Sequence, residues 1–577
     1  MLALLAWGLV AMSATSATAQ PRNFAGIDEA LPSYRAAALR WRRATASTGG
    51  GTVRYLVFQN GTQIAEVQGQ DHVVLDLIAG TSYTFSVQAI DNNGTTNVAK
   101  SLSVVPLAAP PAQEFRGAWI TRFEWPSSST TTMRNTLTSY MQRLGQGNFN
   151  AVAFQVRGQG DTLYPSTLEP RSPLLPTATH SFDPVAYAMA EARANGLEFH
   201  AWINLLVIWQ GATPPSNQNH PFYRWTNPTD PTRALGAIYT APGVQEGIGD
   251  SSYFWLTSGN PELETYLRTV VMDFVNRYEP DGLHWDDRTA MPTTPSFDPV
   301  SLQRFSGRGN PNNVATLAAW QIEQVERLLL NIYVQATDGR PRFLISASPF
   351  GIYDKNRIPG YRNFSDCLRD FGTDPEAWMR GGALDALMPQ IYWREGDPEP
   401  NYGTLVRDWL ANNTSGRYIW PGSALGNYGG TQPIEPWQRQ YVALTRALGA
   451  NGNLMYSISS ANFSAWAGAS ANMHPNKATI PRPDYKTTRG QFAVRAFDGD
   501  GAPITDVWVR LEGRSFVYLT SADGFCGIPN VATGPQTLTA TDAEGRVRTA
   551  TVNVQPGVTH HVEFRFGAVA SSGIKAY

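Results

Sequence analysis

A chain of 577 residues is too long for one core and implies about three or four domains. Its net charge of -2 leaves no basic footprint for nucleic acid, and its two cysteines, Cys367 and Cys526, lie too far apart for a disulfide scaffold. Aromatic residues are plentiful (17 Trp and 23 Tyr) while charged residues make up only 16%, which suits either a large core or surfaces that stack on sugars.

Residues 1–19 read as a signal peptide. Met1 to Met12 is apolar, and the small residues after it end in Ala17-Thr18-Ala19 before Gln20, a small-x-small cleavage pattern. This run is too short to span a bilayer and no other segment qualifies, so the mature protein is expected to be exported, periplasmic or extracellular, with no transmembrane segment. Residues 22–107 read as short strands between turns: Ala36–Arg42, Val53–Phe58, Gln63–Val67, Val73–Leu77 and Tyr83–Asp91, with Asn60-Gly61 as a hairpin turn. Pro106-Leu-Ala-Ala-Pro-Pro111 is a stiff linker.

Residues 112–485 alternate strand and helix. Eight strands are predicted: Gly117–Phe123, Ala151–Arg157, Glu198–Asn204, Gly282–Asp287, Arg342–Ser348, Asp385–Trp393, Arg417–Pro421 and Gly452–Ser457. Helical periodicity between them covers Met133–Gly145, Pro184–Asn195, Glu262–Tyr278, Val314–Ala336 and Trp437–Leu448. This pattern predicts an α/β fold, a (β/α)8 TIM barrel flanked by two small β-sandwich domains. The connection Leu205–Asn260 is too long for a routine loop and is expected to form part of a substrate wall. The last piece, residues 489–567, alternates as sandwich strands over Phe492–Phe497, Trp508–Leu511, Phe516–Thr520, Gln536–Thr541 and His561–Phe566.

Asp281-Gly-Leu-His-Trp-Asp-Asp287 is the most informative stretch, an apolar strand ending in ionisable groups. Alternation puts Leu283 and Trp285 on one face and His284 and Asp286 on the other, with Asp287 at the strand-to-loop junction. The same face argument selects Arg122 and Glu124 on the first strand, Gln155 and Arg157 on the second, and His200, Trp202 and Asn204 on the third. The fifth strand adds Ser346 and Ser348, and the sixth adds Gln390 and Tyr392. Polar groups thus gather at the carboxyl ends of six strands, where a barrel carries its active site. No HxH or HExxH spacing supports a metal, adjacent His560 and His561 face opposite ways on a strand, and no cofactor is expected.

Seven blocks fall in one order: Phe115-Arg-Gly-Ala-Trp-Ile, Glu124-Trp-Pro-Ser127, Phe154-Gln-Val-Arg-Gly-Gln-Gly-Asp-Thr-Leu-Tyr-Pro-Ser166, Gly196-Leu-Glu-Phe-His-Ala-Trp-Ile-Asn204, Asp281–Asp287, Ser346-Ala-Ser-Pro-Phe-Gly351 and Met388-Pro-Gln-Ile-Tyr-Trp393. Together they resemble the glycosyl hydrolase-like family 10 barrel, a bacterial exported group. Glu124-Trp-Pro stands where that family has Asp-Trp-Pro, and Asn204-Leu-Leu where it has Asn-Pro-Tyr. Leu77-Ile-Ala-Gly-Thr-Ser-Tyr83-Thr-Phe-Ser-Val-Gln-Ala89, with Trp41 upstream, resembles a fibronectin type III domain. The stretch from Thr520 to Leu538 resembles a carboxypeptidase regulatory-like sandwich, with Cys526 as a buried strand residue.

The resemblance implies an exported glycoside hydrolase, with peptide-free peptidoglycan glycan strands as the substrate class. Such chemistry needs a protonated carboxyl at the leaving oxygen and a second carboxylate as nucleophile or base. Asp286 is the first candidate, with Asp287 and Glu124 as partners and Arg122 or Arg157 holding one of them ionised. His200, His284, Asn204, Gln155 and Gln390 are expected to bind sugar hydroxyls, and Trp202, Tyr392 and Trp393 to stack on pyranose faces. Two alternatives are another polysaccharide as substrate, and a non-hydrolytic glycan-binding protein, which would not need paired acids.

Overall fold

The computed structural model describes residues 19–97, 100–227, 235–289, 295–394, 400–425, 435–458, 470, 472–567 and 574–576. Of the expected leader, residues 1–18 lie outside these. The chain groups into two compact units, one running up to Ala109 and one comprising Pro110–Arg394 and the chain from Tyr402.

The first unit contains two antiparallel sheets. Ile27–Ser33, Ala36–Trp41 and Asp71–Val74 form one; Thr62–Val67, Arg54–Gln59, Tyr83–Ile90 and Ser101–Val104 form the other. Alternation along Tyr83–Ile90 buries Tyr83, Phe85, Val87 and Ala89, which join Trp41 and Tyr55 in a single core. Asn60 and Gly61, with φ of 49° and 84°, make the tight turn between Arg54–Gln59 and Thr62–Val67. The Ile78 amide donates to the Tyr83 hydroxyl at 3.1 Å.

The second unit is built on a parallel sheet. Phe115–Ile120, Ala151–Arg157, Glu198–Ile203, Gly282–Trp285, Leu344–Ala347 and Ala386–Leu387 are its first six strands, and Gly452–Tyr456 is its eighth. The seventh comes in two pieces. Tyr418–Ile419 pairs with the sixth strand and Gly422–Ala424 with the eighth. Only Trp420 and Pro421 separate these pieces, so both edges of the sheet belong to one strand and the sheet closes into a barrel. Helices Thr130–Gln146, Pro184–Ala194, Pro261–Tyr278, Leu317–Thr337, Pro375–Gly381, Tyr402–Ala411 and Glu435–Ala447 lie between the strands. Asn260 caps the helix that leads into the fourth strand, its Oδ1 accepting from the Glu262 and Leu263 amides at 2.8 and 3.3 Å.

The barrel lumen is packed rather than open. Phe115, Trp119, Trp202, Met388, Trp420 and Leu454 belong to one buried cluster inside it. Glycines at inward positions make room for these side chains. A Cβ on Gly422 would sit 2.5 Å from Trp119 Cη2, and one on Gly282 would sit 2.6 Å from His200 Nδ1. Interiors at this density do not absorb an added atom without shifts.

Two four-stranded sheets follow. One has the order Phe525–Val531, Gly490–Asp498, Thr559–Phe566, Ile574–Ala576; the other Val517–Leu519, Trp508–Leu511, Gly534–Thr541, Val547–Val554. They pack on the barrel helices Pro261–Tyr278 and Leu317–Thr337 and on the short helix Pro299–Ser306. The Gly527 amide donates to Asn331 Oδ1 at 2.7 Å, Arg268 pairs with Asp523 and Arg304 with Asp506, each at 2.6 Å, and Val334, Ala493 and Phe525 share a small core. Cys367 and Cys526 are both buried free thiols. His560 accepts from the Gln555 amide at 2.9 Å, whereas its neighbour His561 turns outward to Asp338 at 3.2 Å.

Gly282→Ala tests the lumen directly. The added methyl meets His200 and the Leu344 carbonyl, so a loss of about 1–3 kcal/mol is expected, read as a lowered Tm in thermal denaturation. An unchanged Tm would mean that the lumen has slack.

Candidate functional site

Two acids are held in place at the carboxyl end of the barrel. Asp286 follows the fourth strand, and its Oδ1 accepts from Gln390 Nε2 at 3.1 Å and from the Asp287 amide at 2.8 Å. Gln390 is itself fixed by donating to the Ser348 carbonyl at 3.0 Å. Glu124 comes from a turn, because the first strand stops at Ile120 instead of running on to Phe123 as predicted. The Thr121 amide donates to Glu124 Oε2 at 2.8 Å, the Glu124 amide donates to the Thr121 carbonyl at 3.3 Å, and the Ser457 hydroxyl donates to Glu124 Oε1. Both carboxylates are thus oriented by neighbouring donors.

Tyr456 marks where the acids converge. It ends the eighth strand, stacks on Tyr392 (centroids 5.7 Å apart, planes at 25°) and packs edge-on to Trp119 at 6.1 Å. Burial raises its pKa, and the negative charges of Glu124, Asp286 and Asp287 raise it further, followed by Tyr253. All three predicted acids therefore act on one phenol. Tyr253 belongs to the long insertion, whose described parts form the ladder Val207–Trp209 with Phe254–Trp255 and the hairpin Tyr239–Ala241 with Val244–Gln245.

Beneath this cluster lies a buried polar post. Trp119 Nε1 donates to His284 Nε2 at 2.8 Å, so the ring proton belongs on Nδ1, which donates to Ser346 Oγ at 2.9 Å. Ser348 Oγ lies 3.1 Å from His284 Nε2 and donates to the Trp285 carbonyl at 3.2 Å. Burial, with His200 nearby, pushes the His284 pKa down to about 3, so the imidazole is neutral.

Other predicted residues face the barrel axis as expected but sit below its mouth. His284 is fully buried, and its nitrogens are taken by Trp119 and serines, so it supports the site from beneath instead of meeting sugar hydroxyls. His200 is buried low in the third strand, with Nε2 3.4 Å from Glu198 Oε2 and its ring edge-on to Phe115. Trp202 is in the lumen cluster and donates to Asn204 Oδ1 at 2.8 Å, while Asn204 Nδ2 donates to the Gly158 carbonyl. Arg157 is buried in a two-pronged pair with Glu169 (2.7 and 2.8 Å) and also donates to the Asn204 and Leu205 carbonyls. Burial opposes its charge, but Glu169 more than offsets this, so Arg157 stays protonated as a structural link.

Gln155 is buried and accepts from the Arg122 amide at 3.0 Å. Arg122 is buried too, its guanidinium donating to Gln210 at 3.0 Å and Gln159 at 3.4 Å; a Cβ on Gly158 would sit 2.6 Å from its Cζ. Beside it the buried carboxyl of Asp161, which was not among the sequence-derived candidates, has its pKa pushed up to about 6 by burial against the pull of Arg122. Trp393 is half-buried, edge-on to Phe350 at 5.7 Å. Tyr456, Ser457, Tyr253 and Trp119 are also additions. The same alternation that runs through Gly452 and Leu454 would have found Tyr456 had it been applied to the eighth strand.

Among the described residues no group of three or more His, Cys, Asp or Glu is placed to hold a metal, and no helix is long and apolar enough to cross a membrane. Residues 114–415 match the glycosyl hydrolase-like 10 family. The glycosyl hydrolase DigH of Escherichia coli strain K12 is 25% identical over 352 residues, covering 56% of this chain and 76% of DigH. The glycosyl hydrolase YngK of Bacillus subtilis strain 168 is 24% identical, covering 53% of this chain and 59% of YngK. Among solved structures, the PgaB (BpsB) glycoside hydrolase domain from Bordetella bronchiseptica aligns at 16% identity with a TM-score of 0.46, covering 62% of this chain and 99% of that one. The family match takes in more than half the chain, including Glu124, Asp286, Asp287 and Gln390, and the chain belongs to the glycosyl hydrolase-like 10 family.

Proposed function

We propose that this protein is an exported glycoside hydrolase that cleaves a polysaccharide, with peptide-free peptidoglycan glycan strands as its substrate. The observation that carries the reading is the placement of Asp286 beside Gln390 at the end of the fourth strand and of Glu124 on Ser457 just past the eighth, around the stacked rings of Tyr392 and Tyr456. Hydrolysis of a glycosidic bond takes two carboxyl groups, one to protonate the leaving oxygen and one to attack the anomeric carbon or activate water. Asp286, oriented by Gln390 and the Asp287 amide, is one member, and Glu124 or Asp287 is the other. The stacked rings of Tyr392 and Tyr456 offer a flat aromatic surface for a pyranose, and Tyr253 of the insertion is among the groups that bear on the Tyr456 phenol, so the insertion serves as a wall. With Trp202 and Asn204 committed to each other in the lumen, recognition of N-acetyl groups falls to this upper layer. The N-terminal sheets serve as a fibronectin type III-like spacer or contact module. The C-terminal sheets form a carboxypeptidase regulatory-like sandwich that braces the barrel helices.

Asp286→Asn keeps the shape of the side chain and removes its ionisable group. Hydrolysis is expected to fall on the order of a thousandfold or more while folding and glycan binding persist. Near-normal turnover in that variant would remove Asp286 from the reaction.

The substrate reading has its own test. Incubation with peptide-free glycan strands is expected to release soluble fragments, with little release from intact cross-linked sacculi, where stem peptides collide with the insertion wall. Equal release from both, or release only from starch or xylan, would overturn the substrate and leave the hydrolytic chemistry in place.

A further inference from the structure

Among the described residues Phe123 is the one Phe, Tyr or Trp side chain that stands exposed, with 65% of its surface open. It occupies the turn between Ile120 and Glu124 in which the Thr121 hydroxyl accepts from the Phe123 amide at 3.3 Å and the Glu124 carboxylate accepts from the Thr121 amide. The turn is therefore fixed on both sides of Phe123. Its ring is also backed. The Arg122 guanidinium lies 4.7 Å from the ring centroid and is itself buried and held by Gln210 and Gln159. One face of the ring is thus supported from within the protein, and its exposed surface stands immediately beside an acid of the site. An isolated exposed aromatic needs no explanation on an ordinary surface. Here, however, the chain spends a buried, hydrogen-bonded arginine on keeping an apolar ring upright next to Glu124.

We propose that Phe123 is a sugar-binding platform, a second stacking subsite beside the Tyr392–Tyr456 pair. The ligand class is a pyranose ring of a glycan that extends past the cleavage point. The C–H face of a pyranose is apolar and matches an aromatic face. A guanidinium behind the ring lets a phenylalanine, with no polar atom of its own, hold a defined orientation in water. This inference rests on the glycoside hydrolase reading. It adds a residue that no glycosidic chemistry requires and predicts a dependence on chain length.

The test compares Phe123→Ala and Phe123→Trp with the unaltered full-length protein on peptide-free peptidoglycan strands sorted by length. For Phe123→Ala, KM on long strands is expected to rise about tenfold, the scale of one lost aromatic contact, with a smaller change on the shortest cleaved fragments. Phe123→Trp, which restores a flat ring, is expected to recover most of the loss. A KM that does not change in Phe123→Ala, or that rises equally at every length, would overturn the platform. Should the unaltered protein cleave none of these strands, the peptidoglycan substrate reading fails. Calorimetric titration of the same strands into Asp286→Asn, with and without Phe123→Ala, still decides the platform: weaker binding without the ring supports it, and equal or undetectable binding in both overturns it.

Discussion

The hydrogen bond from Trp119 to His284 inside the barrel is the contact on which the site depends. It joins the first strand to the fourth across a buried lumen, and it requires a neutral imidazole with a free acceptor nitrogen. Burial supplies that condition, since an imidazolium there would have neither solvent nor an anion beside it. Asp286 stands two residues after His284, and Tyr456 packs on Trp119. The heights of the catalytic candidates above the lumen are thus set by this post and by the serines that complete it. Glycines at positions 117, 282, 422 and 452 leave the volume that the rings fill. The aromatic richness of the chain serves this interior as much as any sugar surface.

Side-chain facing was legible in the sequence and depth was not. Period-two alternation put His200, Trp202 and His284 on the face that packs into the barrel lumen, where the structure has them. It could not say that His200 lies near the bottom of a six-residue strand, with Glu198 for company, while Asp286 lies past the top of a four-residue one. Glu124 reaches the site by a different local route from the one that strand parity implies. The first strand ends at Ile120, so a side-chain-capped turn brings the carboxylate inward, and strand parity does not apply there. Arg157 looked like a partner for the acids because its ion-pair mate, Glu169, sits in a loop that no periodicity marks. Tyr456 went unread although its position is regular, because the eighth strand carries no charge to draw attention to it.

The C-terminal sheets illustrate the same limit. Their strands could be read from alternation, but their docking depends on single side chains scattered along three helices: Arg268, Arg304, Asn331 and Val334. Below the barrel, Asp385 ties another joint. It accepts from Tyr333 and Tyr485 at 2.9 and 2.6 Å and pairs with Lys486 at 2.9 Å, all inside the protein. Breaking one member of such a buried network leaves the others uncompensated, so these links hold the helices that lead into the fourth and fifth strands, and Asp385 at the foot of the sixth, and with them Asp286 and Gln390.

The proposed hydrolysis puts the bond to be cut among Glu124, Asp286, Asp287 and Tyr456. A crystal structure of the Asp286→Asn protein with a bound peptide-free glycan fragment tests it most directly. A glycosidic oxygen is expected within hydrogen-bonding reach of Glu124 or Asp287, with a sugar ring over Tyr392 and Tyr456. A fragment bound only elsewhere on the molecule, with the barrel mouth filled by solvent, would contradict it.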